Sequence, residues 1–134
     1  EHIFGYTILN DITARDLQKK HGQWFKGKSL DTTCPVGPVI VHASAIPNPD
    51  NLALELDIDG ELRQSDNTNS MIFDVATIVQ QLSSGMTLEP GDVIATGTPK
   101  GVGFALNPPR CLEVGQTIRA RVEGIGELSN TVVD

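Results

Sequence analysis

At 134 residues the chain fits one domain spanning 1–134, long enough to bury on the order of two thirds of its unfolded surface. Ten basic residues against 17 acidic ones give a net charge of -7, which argues against nucleic acid and anionic membranes as partners, since both recruit basic patches. Cys34 and Cys111 show no metal-ligand spacing, and there is no run of about 18 apolar residues and no charged-then-apolar leader, so two reduced structural thiols in a cytoplasmic protein are expected.

The chain begins at Glu1 and enters the apolar segment Ile3 to Leu9 almost at once, as though cut just ahead of a strand, so further functional groups are expected upstream. A short helix is predicted from Thr13 to His21-Gly22, with Asp16 in a capping-box position. Strands follow at Val36 to Val41, Leu52 to Ile58 and Glu61 to Gln64. Within LALELDIDGELRQ, apolar Leu52, Leu54, Leu56 and Ile58 alternate with Ala53, Glu55, Asp57 and Asp59, and Asp59-Gly60 supplies the turn of a tight hairpin. Its leucine face is expected to be buried and its Glu55/Asp57 face to be solvated, although two carboxylates on one face also form a candidate metal pair. A second helix is predicted to start near Ser70, with Ser70 or Asn69 as cap, to place Ile72, Val75, Ala76, Val79 and Leu82 against a sheet, and to stop at Gly85. Matched turns at Leu88 to Asp92 and Leu112 to Gln116 lead into β-rich runs, with strands expected at Val93 to Thr96, Thr117 to Glu123 and Glu127 to Val133. Long strands with sparse helices imply a β-rich α+β sandwich or roll with helices at its edge.

The segment Gly22 to Ser29, GQWFKGKS, satisfies the Walker A expression, yet it follows the charged run LQKKH, carries bulky Trp24 and Phe25, and precedes no helical pattern. Phosphate cradles need a buried strand, a loop of small residues and a helix that starts at the lysine, so nucleotide binding is rejected. GxSxG, HExxH, strand-borne GxGxxG and EF-hand patterns are absent, and His2, His21 and His42 are scattered. What remains is the stretch NDITARDLQ, Asn10 to Gln18, with Lys28 and the glycine-rich loop TGTPKGVG, Thr96 to Gly103. A carboxylate, an amide, an amine and such a loop suit metal-assisted chemistry on a small oxo acid, because hard divalent ions take oxygen ligands and polarise carbonyls.

Taken together, NDITARDLQ, GKSLDTTCPVGP, MIFDVATIV, LEPGDVIATGTPKGVG and VEGIGELSNTV resemble, in order and spacing, the fumarylacetoacetate hydrolase family over Ile3 to Val132. The resemblance implies the C-terminal catalytic domain of a mixed β-sandwich roll with a few peripheral helices, usually a homodimer. It also implies a Mg²⁺-dependent enzyme, with Mn²⁺ or Ca²⁺ as substitutes, that hydrolyses, decarboxylates or isomerises small 2-oxo and 1,3-diketo acids. The family's metal-binding aspartate falls on Asp11, its substrate-orienting glutamine on Gln18, its catalytic lysine on Lys28 and its substrate-touching threonine on Thr98, with Thr32 near the ion. Asp16 is left to cap the short helix and Arg15 to pair locally. The family's Glu-x-Glu metal pair and His/Glu lid belong upstream of this aspartate, and neither precedes Asp11 here, so the 134 residues alone are expected to hold metal poorly and to be inactive. The competing reading is a non-catalytic dimerising or small-anion-binding module that keeps the fold.

Overall fold

The computed structural model describes residues 2–134, which form two antiparallel sheets with few helices. The smaller sheet pairs β1 (Gly5–Leu9) with β2 (Val36–His42). The larger has the order β4-β3-β5-β6, from β3 (Ala53–Ile58), β4 (Glu61–Asn67), β5 (Thr117–Val122) and β6 (Gly126–Thr131). All described pairings are antiparallel. The core lies between the sheets, where Ile8, Ile46, Ala120 and Ile125 are buried and Tyr6, Val41, Leu52, Leu56, Val122 and Leu128 close around them. This is the expected roll: strand alternation gives each sheet one apolar face, and burying those faces against each other removes both from water.

The β3–β4 hairpin turns at Asp59 and Gly60, whose φ values of 51° and 83° are the left-handed pair a two-residue turn requires. Leu54, Leu56 and Ile58 stand opposite Val122, Ala120 and Ile118, as the alternation predicts. The acidic face is a correction. Asp57 is not solvated but 5% exposed, because β5 brings Arg121 Nη1 to 2.7 Å and Arg119 Nη1 to 3.3 Å of its carboxylate. It also accepts the Gly60 amide at 3.0 Å. Opposite-strand arginines, invisible to a single-strand pattern, supply the charge that lets an aspartate be covered. Glu55 stays exposed, while the carboxylate of Asp57 is engaged by the two arginines.

In β4 the register slips: Leu56 faces Gln64 but Asp57 faces Leu62, leaving Arg63 as a bulged residue.

The helices depart from expectation in their ends. The helix α3 (Val75–Ser83) starts five residues later than Ser70, since Asp74, not Ser70 or Asn69, caps it by accepting the Thr77 amide at 2.7 Å. Thr68–Ser70 forms a separate 3₁₀ turn. None of the α3 residues is fully buried, so its apolar stripe does not pack on a sheet as predicted. At α1 (Arg15–His21) the cap position is Ala14, with no side-chain cap bond, so Asp16 does not cap but sits in the first turn, where the helix dipole favours it. Gly22 closes α1 in the left-handed conformation. A one-turn helix, α2 (Phe25–Lys28), ends at the lysine where a phosphate-binding loop would begin its helix, which agrees with rejecting nucleotide binding. The expected strand at 93–96 is not formed, because no described strand pairs with it. Both cysteines are free but exposed, so neither is a core thiol. Among the described residues no helix is long and apolar enough to cross a membrane.

Candidate functional site

Three backbone bonds fold the site-bearing segment onto itself. Asn10 N donates to Pro35 O at 3.0 Å, Ile12 N to Thr33 O at 3.2 Å and Ala14 N to Gly27 O at 2.8 Å. They carry the chain from the end of β1 into α1 while holding the 27–35 segment alongside. The consequence is a contact across 17 positions: Lys28 Nζ donates to Asp11 Oδ2 and, at 3.2 Å, to Thr13 Oγ1. Both partners keep solvent access, with side chains 26% and 40% exposed. The amine and the carboxylate assigned from the resemblance are thus in direct contact. Thr13, which sequence reasoning used only as a helix start, joins them.

Gly27 makes the contact sterically possible. A Cβ there would lie 2.9 Å from Ala14 O and 2.9 Å from Gln18 Cβ, closer than real Cβ atoms come. Gln18 is buried against this turn, and its Oε1 accepts Arg15 Nη1 at 2.7 Å, so Arg15 pairs locally as expected. Thr32 occupies a left-handed conformation, φ 64°, one residue from the Thr33 carbonyl that binds Ile12. A β-branched residue there is strained, and such strain persists only where surrounding bonds fix the chain.

Thr98 is not brought into hydrogen-bond contact with Asp11 or Lys28. Its hydroxyl accepts Gln64 Nε2 at 2.9 Å, and the same nitrogen donates to Pro99 O at 3.0 Å. Further along the loop, Phe104 lies under two cations of α1, with Arg15 Cζ 5.3 Å and Lys19 Nζ 4.3 Å from its ring centroid. The glycine-rich loop therefore bridges the edge of the larger sheet and the helix that carries Gln18. Gln64 and Phe104 were missed by sequence reasoning. Gln64 looked like one more polar position on a hairpin, and only the 64–98 contact reveals it.

Among the described residues no three His, Cys, Asp or Glu side chains gather at one point. Asp11 is the right chemistry for one oxygen ligand of a hard cation, but it is a partial donor set, because Mg²⁺ asks for near-octahedral oxygen coordination.

The geometry thus brings together a carboxylate, an ammonium and a buried amide at the end of β1, with a hydroxyl-bearing glycine loop held at the edge of the larger sheet. The chain belongs to the fumarylacetoacetate hydrolase family: the family described as fumarylacetoacetate (FAA) hydrolase C-terminal matches residues 1–133. It is 57% identical over 132 residues to oxaloacetate tautomerase YisK of Bacillus subtilis, covering 98% of this chain and 44% of that protein. Fumarylacetoacetate hydrolase from Exiguobacterium antarcticum superposes with a TM-score of 0.96 at 56% identity, covering 98% of this chain and 47% of that one. For 2-hydroxyhepta-2,4-diene-1,7-dioate isomerase from Mycobacterium marinum the TM-score is 0.87 at 49% identity, with coverages of 98% and 48%. The chain thus spans about half the length of the proteins it matches.

Proposed function

We propose that in its full-length form this protein is a divalent-cation-dependent enzyme acting on small 2-oxo or 1,3-diketo acids through an enolate, with keto–enol conversion of oxaloacetate as the first activity to test. The observation that carries this reading is the Lys28–Asp11–Thr13 contact beside buried Gln18. The names of the relatives, a tautomerase, a hydrolase and an isomerase, support it, since all three chemistries can proceed through an enolate or enol.

Asp11 would hold a Mg²⁺ ion together with oxygen ligands from the rest of the full-length chain, and that ion supplies Lewis acidity toward the substrate's oxygens. Lys28 does the remaining electrostatic work: its ammonium, already oriented by Asp11 and Thr13, donates to the oxygen on which negative charge develops. Gln18, fixed by Arg15 through its carbonyl, keeps its amide N–H₂ to orient a substrate oxygen. Thr98 contributes a hydroxyl to the substrate from the loop side.

The test uses the full-length protein with added Mg²⁺ and follows oxaloacetate enol absorbance, then turnover of acylpyruvates and unsaturated oxo diacids. Lys28→Ala and Asp11→Asn are expected to lower kcat/KM by about 10²-fold or more, the usual loss when a preorganised charge is removed, and chelation of the cation to abolish turnover. Unchanged turnover in both variants would overturn the reading.

A further inference from the structure

We infer that Gln64 is a positioning residue that fixes the direction of the Thr98 hydroxyl, leaving its proton free for an anionic substrate oxygen; this rests on the assignment of Thr98 as a substrate contact. The amide's orientation follows from its partners. Pro99 O is a carbonyl and can only accept, so the atom 3.0 Å from it is the nitrogen, and that nitrogen also lies 2.9 Å from Thr98 Oγ1. A threonine hydroxyl has one proton and two lone pairs. With one lone pair engaged by Gln64, Thr98 keeps its proton to donate, the polarity that a carboxylate or enolate oxygen needs.

The backbone of β4 is shaped for this. Residues 61 and 64 are three apart and would face opposite sides of a regular strand, but the bulge at Arg63 sets Glu61 opposite Ile58 and Gln64 opposite Leu56, on one face. From that face Gln64 holds the front of the loop, while Glu61 holds its far end through two bonds from Arg110, at 2.7 and 3.0 Å. Between them Gly101 rests on the bulge itself, where a Cβ would lie 1.9 Å from Arg63 O. Bulges beside a site commonly re-aim a side chain, and here the re-aimed side chain is the amide that orders Thr98.

The experiment uses full-length protein and reads both the dissociation constant of oxalate by calorimetry and KM against kcat for oxaloacetate. Gln64→Ala is expected to weaken oxalate and raise KM about tenfold, as for one hydrogen bond to a charged group, with kcat changed less than about threefold. Combined with Thr98→Val it should cost little more than Thr98→Val alone, since both remove the same bond. The isosteric Gln64→Glu guards against a folding defect. Its carboxylate would take the Thr98 proton for itself, so KM should rise at neutral pH and recover as pH falls toward about 4 and the acid becomes a donor. If Thr98→Val is harmful while both Gln64 variants bind and turn over like wild type, this inference fails alone. If Thr98→Val is also neutral, the substrate role of Thr98 fails with it.

Discussion

Lys28 meets Asp11 because the residue before it has no side chain. Gly27 lies against Ala14 O and Gln18 within a distance that excludes a Cβ, so Gly27→Ala must push α2 away from α1. Overpacking of this kind costs about 1 to 3 kcal/mol, and the displacement would carry the Lys28 amine off Asp11. Urea unfolding should show the loss of stability, and kcat/KM for oxaloacetate should fall with it, although the variant alters no reacting group. The candidate residues Asp11, Gln18, Lys28 and Thr98 could be marked from five ordered blocks of sequence, and of these Asp11 and Lys28 are in contact. Thr13 and Gln64 were not legible, because each earns its place through a partner 15 or 34 positions away. The burial of Asp57 escaped for the same reason: its arginines sit 62 and 64 positions downstream.

At the level of elements, strands that carry their own alternation were readable, and the Asp59-Gly60 hairpin forms where expected. Helix ends were less so. Several polar residues before α3 compete to cap it, and the winner is the one whose carboxylate reaches back to an amide three residues on, Asp74 to Thr77. The Thr77 hydroxyl and, after it, the Thr77 amide hold the Asp74 carboxyl below its usual range. Because Asp74 caps the helix, Asp74→Ala is expected to lower the urea midpoint, while Ser70→Ala leaves the midpoint near wild type. The apolar content of 93–96 suggested a strand, but pairing is a property of two segments, and none of the described strands lies beside it. The bulge at Arg63 had no signature at all in the hairpin's alternation.

Across the whole molecule, the described carboxylates that leave their usual range all move down. Burial pushes Asp57 up, but Arg121, the Gly60 amide and Arg119 outweigh it; Arg110 lowers Glu61, and the Asn67 amide lowers Asp66. A carboxyl depressed in the folded state contributes stability that is complete above its unfolded value and is lost as pH falls through the folded one. Stability should accordingly drop as pH falls below about 4, and Asp57→Asn should cost about 1 to 3 kcal/mol at pH 7 while flattening that acid limb, both measurable as urea midpoints at pH 7 and 3. The loop that joins sheet to helix also sets where this protein can change. Gly101 and Gly103 are seated on the carbonyls of Arg63 and Arg110 with no room for a side chain, whereas Lys100 and Phe104 beside them are exposed. Diversification aimed at new substrate preference would keep the two glycines invariant and randomise their neighbours, concentrating surviving clones where the backbone tolerates novelty.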